Sequence, residues 1–594
     1  MALSFDILII GGGTAGLTLA SRLSENEDIS ILVLEAGADL TKDDRVNEPA
    51  QAPLLVYGDT NWGLRTIPQK GLNNRPQACP GGKMLGGSSA LNTFMFIPPT
   101  KPVVDAWASL GNTGWEYEAF SKSLRNVYTV TNVDGTTNGE GPIQVSYPDE
   151  YTQWPRLWSQ SVKDLGFESQ IDRVSWEYFG AHKFAETIAP GDGKRSFAAS
   201  YLQLAKDRGN LTVWTDVHVT KVLLEKQDSG NGEFVAKGVQ YTQNGETKTV
   251  HTTREVILSA GTLFNPQILE ASGIGDLAVL QNIGVEVLID NPNVGENLQN
   301  HVVAGLTYEV KEKDGYETLD AFLRQEPKAL ELAMKQRAER KGPLMGCNMA
   351  GGAQISVPYY GTEKGKREVE EIIRTSRVEG KATKEFSDAH EEFVKSNLTS
   401  PTQASALYYV FPAGLTVAPD GSYGPLLPAP KRYIGIGASL SHPLSRGSVH
   451  SRLPTDDNKQ GCEIDMGFLT HPLDVDVLAR HVQQVDRLST ETSLSELIVP
   501  EQRFPEVGDL TDIEVAREFV KETASMAHHS TGTCAMMPRS MGGVVDDTLR
   551  VYGVQNLRVC DLSVVPFPPK GNTQATAYAV GEHGAGIIKP DLKV

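Results

Sequence analysis

The sequence predicts an α/β, Rossmann-like dinucleotide-binding domain joined to a second domain. Three observations carry that expectation. A complete βαβ unit with a glycine fingerprint fills the first forty residues. The chain then runs to 594 residues at 40% hydrophobic content, too long for one ordinary domain and ample for a large core. Its middle holds strand-like and helix-like tracts with no internal repeat and no second fingerprint.

The βαβ unit reads "FDILIIGGGTAGLTLASRLSENEDISILVLEAGA". The strand 5–10 runs into Gly11-x-Gly13-x-x-Gly16, and a helix follows with apolar Leu17, Leu19, Ala20 and Leu23. Gly11 permits the tight turn, Gly13 lets the backbone approach a pyrophosphate, and Gly16 lets helix pack on strand. The helix start at Thr14 and Ala15 offers free N–H groups and a positive dipole end to phosphates. The second strand ends on Glu35, followed by Ala36 and 19 residues beyond Gly16. A carboxylate there accepts hydrogen bonds from the adenosine ribose hydroxyls. Glutamate in place of arginine disfavours a 2′-phosphate, so NADP is not expected; this stretch leaves NAD and FAD both open.

The formal charge of −19 argues against nucleic acid or an anionic membrane as partner, since both need a basic surface. No apolar run reaches the roughly 18–20 residues that span a bilayer. Met1 leads into the first strand in four residues, without room for a charged leader and apolar h-region, which points to the cytoplasm. Five widely spaced cysteines with no CxxC read as reduced thiols rather than a disulfide frame or a metal site. Sequons at Asn210 and Asn397 occur at the rate chance supplies.

Further segments resemble the motifs of the glucose–methanol–choline (GMC) oxidoreductases. "PGGKMLGGSSALNTFMFIPPTKPVVD" (80–105) and "SAGTLFNPQILEASGIG" (259–275) resemble the two family signatures. "HHSTGTCAMMP", "LRVCDLSVVPF" and "GNTQATAYAVGE" resemble its closing motifs, all in the family's order from residue 5 to about 588. The resemblance implies FAD, extended with its adenine end at the first βαβ unit. It also implies an FAD-binding domain plus an α+β substrate domain with an antiparallel sheet, the GMC and p-hydroxybenzoate-hydroxylase-like architecture. By correspondence Gly87, Ser88, Asn92, Thr93, Phe94 and Met95 line the flavin, and Trp62 packs near it. Val219 matches the backbone partner of the adenine, Asp561 and Leu562 the phosphate–ribityl region, and Thr573 a backbone donor to the flavin. The small residues of "GGSSALN" suit close approach of backbone N–H groups to a cofactor. Leu91 stands where some members carry a flavin-linking histidine, so non-covalent FAD is expected. Two departures are plain: Pro98-Pro99 replaces the usual Arg-Gly, and Asn265 replaces a Ser or Thr in the second signature.

The same resemblance assigns the chemistry. Aligning on "GTCAM" places the family's flavin-facing histidine at His529 and its partner at Asn572, 43 residues later. A neutral imidazole can take the hydroxyl proton of an alcohol. A carboxamide can hold the substrate oxygen and stabilise a developing alkoxide without adding a second titrating group. In an extended segment His528 faces away from its neighbour and is expected to be structural. His301, at a domain junction, and His583, on the final helix, are read as structural too. Tyr408, Tyr409 and Phe411 alternate on a strand, so only one face can line a cavity.

The FAD domain is expected from 1–150, 205–305 and 538–594, with the final helix returning to the first strand; 151–204 and 306–537 then build the substrate domain. The charge-dense tract 362–396 reads as a solvated helical face. The expected activity is oxidation of a primary alcohol or aldehyde hydrate, with oxygen or a quinone-type electron acceptor. Formate oxidation is the weaker alternative: related members carry arginine at the Asn572 position, and Lys570 is the only nearby cation here. A non-redox lyase or cyclase on the same fold is the rival from another class.

Overall fold

The computed structural model describes residues 3–592, except 57, 133, 148–150, 173–174, 228–232, 377–380, 415, 423 and 455–459. The outer ends at 1 and 594, the boundary at 150 and four residues of the charged tract therefore lie outside the described residues.

Two sheets organise the described chain. The first has seven strands. In spatial order these are Leu211–Trp214, Ile31–Leu34, Ser4–Ile10, Glu246–Leu258, Phe234–Gln243 and His218–Lys226, with Leu557–Val559 lying parallel beside the end of Glu246–Leu258. The central strands pair in parallel, Ile7 opposite Ile31, Leu8 opposite Leu32 and Ile9 opposite Val33. All six of those side chains are fully buried, which is why these strands read as unbroken apolar runs.

The helix Thr14–Leu23 packs against the last long helix, Gln574–Ile588, which brings the two ends of the sequence together. Arg22 Nε bonds Glu582 at 2.9 Å, and the Tyr201 hydroxyl donates to the same carboxylate at 2.7 Å. Gly581 is needed at the crossing, since a Cβ there would sit 2.9 Å from that of Thr18. Arg558, wholly buried, grips Glu255 through two bonds of 2.7 and 3.0 Å and locks the late strand onto the early one. Losing one partner of such a buried pair costs about 3–5 kcal/mol.

The second sheet is antiparallel and has eight strands. Its order is Ile498–Phe504, Val302–Val310, Arg432–Leu440, Ala406–Phe411, Gly351–Ile355, Glu177–His182 and Gln170–Asp172, with Ser525–Met526 beside Val302 and Val303. The helix Pro472–Glu491 covers it with an apolar stripe that includes Leu478, Val482 and Val485. This is the expected α/β plus α+β fold. The charged tract departs from expectation. Its helix Lys384–Thr399 buries Phe386, His390, Val394 and Leu398, four residues apart along one face. Phe386 and Phe393 stack on Phe567 at 5.6 and 5.3 Å. The segment is therefore amphipathic, with an inner face as important as its solvated one.

His450 lies between the carboxylates of Glu270 and Glu296, at 2.7 and 3.1 Å. Burial opposes its charge, but the two carboxylates outweigh burial and raise its pKa to about 9. A histidine raised in the folded state stabilises fully below its unfolded pKa near 6.5, and that contribution is lost as pH rises through about 9. His450→Gln should lower the melting temperature at pH 6 and leave it nearly unchanged above pH 9.5, measured by calorimetry. Among the described residues, no helix is long and apolar enough to cross a membrane.

Candidate functional site

The first βαβ turn is built for close backbone contact. A Cβ on Gly16 would lie 2.0 Å from the Gly11 carbonyl oxygen, and one on Gly11 would lie 2.4 Å from that of Ser259. Gly13 precedes the helix Thr14–Leu23, and no side chain caps its N–H groups. Facing it is the loop 86–92. Gly86 N–H donates to the Gly12 carbonyl at 2.7 Å, and Gly87 sits in the left-handed region, φ +52°, where a Cβ would meet Gly13 Cα at 2.8 Å. Two glycine turns thus press together with bare backbone between them.

Glu35 is buried and accepts from Gly12 N–H and Gly37 N–H, both at 2.8 Å. Burial pushes its pKa up to about 7 despite those bonds. Val217 N–H donates to the Glu35 carbonyl at 2.9 Å, which carries Val219 to the same end of the sheet. Ala36 continues the turn. Trp62 joins them, its ring 5.9 Å from that of His218 and 4.3 Å from Phe264.

Asn92 anchors the second turn. Its carbonyl oxygen accepts from Phe94 N–H at 3.1 Å and from Arg195 Nη1 at 2.8 Å, and its amide donates to Gln574. Phe94 lies at φ +68°, strained for an aromatic residue. It is held by Arg195 stacked 4.0 Å over the ring and by Thr187 N–H on its carbonyl at 2.9 Å. Ser88 and Thr93 flank these anchors, and Met95 pairs with Glu186 in a short strand. Thr573 opens the last helix, its carbonyl accepting from Ala577 N–H at 2.9 Å.

His529 is buried, with its Nδ1 2.8 Å from Nδ1 of His301; His301 Nε2 lies 2.8 Å from the Pro569 carbonyl oxygen. A carbonyl only accepts, so His301 carries its proton on Nε2. Burial pushes the His301 pKa down to about 4, so that ring is neutral and its Nδ1 is an acceptor. His529 must therefore donate from Nδ1, which leaves its Nε2 lone pair unprotonated. Burial first, then His301 and His528, hold the His529 pKa well below the ordinary range. The backbone is fixed as well: Asn300 Oδ1 accepts from His529 N–H at 2.9 Å.

Asn572 receives the Tyr409 hydroxyl on Oδ1 at 3.1 Å, which leaves its two amide hydrogens directed elsewhere. Tyr408, the next residue, turns the other way and bonds His481 at 2.9 Å. The two tyrosines thus face opposite sides of the strand, as its alternation requires. The two halves of the site are tied through one segment, since Pro569 ends three residues before Asn572.

The family model for GMC oxidoreductases matches residues 5–303 with its N-terminal part and 443–581 with its C-terminal part. The chain belongs to the GMC oxidoreductase family. It is 34% identical to the dehydrogenase mpl7 of Monascus purpureus, over 99% of this chain and 96% of that one. Among solved structures, a variant of the formate oxidase of Aspergillus oryzae superposes with a TM-score of 0.83 at 26% identity, covering 100% and 99% of the two chains. An FAD-dependent oxidoreductase from Chaetomium thermophilum superposes with a TM-score of 0.85 at 26% identity, covering 99% of each.

FAD is the cofactor of these GMC flavoproteins, and the residues present suit it. The uncapped helix start and the Gly13–Gly87 contact offer N–H groups and room to a pyrophosphate. Asp561 is tied into its loop. Its carboxylate accepts from Gly261 N–H and Asn265 Nδ2, both at 2.7 Å, and from Ser563 N–H and Oγ at 2.8 and 2.6 Å. Four protein donors fill its acceptor positions, so the side chain braces the loop. Asn265, which replaces a Ser or Thr of the second signature, is central to that brace: it also accepts from Ala260 N–H at 2.9 Å.

His528 differs from expectation. The argument from extended backbone fails because His528 has φ +63°, which turns the chain at that point. The side chain is exposed. His583 is packing, as read: it bonds Ser123 and Gly114 and lies 4.6 Å from Trp115. Lys570 donates to Gln403. Arg195, in "KRSFAAS", is a residue that sequence reasoning missed, and His301 was read only as structural.

Proposed function

We propose that this GMC oxidoreductase oxidises a primary alcohol or aldehyde hydrate, with His529 as general base and Asn572 orienting the substrate oxygen. FAD, when bound, would supply the two-electron oxidant. The carrying observation is the tautomer chain from Pro569 through His301 to His529, which presents an unprotonated Nε2 as proton acceptor. Asn572, oriented by Tyr409, offers amide hydrogens to the oxygen that sheds its proton. Gly11, Gly13 with the N–H groups of Thr14, Ala15 and Gly16, Glu35, and the loop holding Gly87, Ser88 and Asn92 through Met95 would hold the cofactor. Trp62, Val219, Leu562 and Thr573 complete the set. Leu91 is aliphatic and supports non-covalent attachment. The division into FAD and substrate domains follows the two sheets.

A neutral substrate is favoured over formate at the reacting carbon, since Asn572 carries no charge and Lys570 is directed to Gln403. Mixing the holoenzyme with a panel of aliphatic, aryl, furanic and sugar alcohols without oxygen should bleach the flavin's visible absorbance for one class. Turnover with a permanently oxidised flavin would instead support the lyase or cyclase alternative. Readmitting oxygen or a quinone then identifies the electron acceptor.

A further inference from the structure

Arg195 carries a buried charge that the protein leaves unanswered. Its Nε donates to the Val46 carbonyl at 2.9 Å, and its Nη1 to the Ser89 carbonyl at 3.2 Å and to Asn92 Oδ1 at 2.8 Å. All three acceptors are uncharged. Nη2 is buried without a hydrogen-bond partner, and among the described residues no carboxylate pairs with this cation. Arg558, buried as deeply, has Glu255 opposite it. Burial pushes the Arg195 pKa down to about 9, so the guanidinium is still cationic at neutral pH. A desolvated cation with only neutral partners is unfavourable, because nothing of opposite charge makes up for the water it has lost.

The neighbours of Arg195 indicate which anion would answer it. The ring of Phe94 lies 4.0 Å from the guanidinium, and Asn92 is bonded directly to it. The charge therefore sits behind residues 92–94 of the loop read as lining the flavin. Those residues lie at the end of the loop away from the Gly13–Gly87 contact, which suits the pyrophosphate. A flavin ring becomes electron-rich when it takes up two electrons, and a cation held behind it in a poorly solvated site favours that state.

We propose that Arg195 is a fixed counter-charge for the reduced flavin ring, raising the reduction potential of the bound cofactor and making it a stronger oxidant. The proposal rests on the reading of residues 87–95 as flavin-lining and adds a residue outside that set.

The test is a redox titration of the FAD-loaded natural chain and two variants at pH 6, which keeps a lysine at this position protonated. Arg195→Gln keeps an amide donor for Asn92 and removes the charge. It should favour the oxidised flavin about tenfold, a fall of about 30 mV for two electrons. Arg195→Lys keeps the charge and loses the planar fork, and its potential should stay close to that of the natural chain. A merely structural Arg195 would shift both variants alike, since lysine cannot replace three bonds made from two nitrogens. Equal shifts, or no shift in the glutamine variant, overturn the proposal. Equal loss of affinity for oxidised and reduced FAD in Arg195→Gln, with the potential unchanged, would assign the charge to the pyrophosphate and overturn it too. Should neither variant hold FAD, the natural chain decides: dithionite at pH 6 should give the absorbance of the anionic reduced ring, and the neutral form overturns the proposal. Asn92→Ala separates the underlying reading. If it perturbs the flavin's absorbance while Arg195→Gln leaves the potential alone, the loop lines the flavin and only the counter-charge falls; if neither changes the flavin, both fall.

Discussion

Replacing His529 with alanine is expected to lower kcat by roughly 10²–10⁴-fold, with flavin content and melting temperature close to those of the natural chain. The imidazole is buried with one bond of 2.8 Å to His301, so its removal takes away a proton acceptor without dismantling a network that holds the cofactor. The pH profile gives an independent check. Burial keeps the His529 pKa well below its ordinary value, so the base is already unprotonated at neutral pH. Activity should stay level across the neutral range and fall only well below pH 6.5, as protons claim Nε2. A wild-type rate that drops between pH 7 and 6, or an alanine variant with undiminished flavin reduction, would remove His529 from this role. Damage from His528→Ala alone would move the assignment one residue.

His301→Leu is the second large effect. The ring accepts from His529 and donates to Pro569, both at 2.8 Å, and so selects the His529 tautomer. Leucine fills the volume but can do neither, leaving His529 free to carry its proton on the wrong nitrogen. Wrong-tautomer variants elsewhere lose up to about 10⁴ in rate. Glutamine offers an amide oxygen to accept and an N–H to donate, so His301→Gln should recover most of the activity lost in the leucine variant. A merely structural His301 would show equal losses in both variants, tracking their melting temperatures, with no difference between leucine and glutamine in flavin reduction under single-turnover conditions.

These two residues differ sharply in how visible they were beforehand. The glycine fingerprint, Glu35 and the strand either side are local, so a pattern of neighbours specifies them and the sequence displays them. His529 was legible through a motif that also lies within a few residues. His301 sits 228 positions away from it, and nothing in "NLQNHVV" states which ring it will meet. Asn265 and Arg195 were hidden for the same reason: each gains its meaning from donors and acceptors that only the fold assembles. His528 failed for a different cause. A left-handed turn at a non-glycine residue costs energy that tertiary context must supply, and no neighbour in the sequence announces it. The helix Lys384–Thr399 shows a third limit. Its charge density masked a four-residue spacing of buried side chains, because composition averages over faces that a helix keeps apart.

The strand Leu557–Val559 and the helix Gln574–Ile588 complete a sheet begun at Ser4. Almost the whole polypeptide must therefore leave the ribosome before the dinucleotide pocket exists. Nascent chains would hold the helix Thr14–Leu23 without its partner Gln574–Ile588 for most of synthesis. A stop codon anywhere ahead of residue 574 should therefore yield a chain whose first helix lacks its cover.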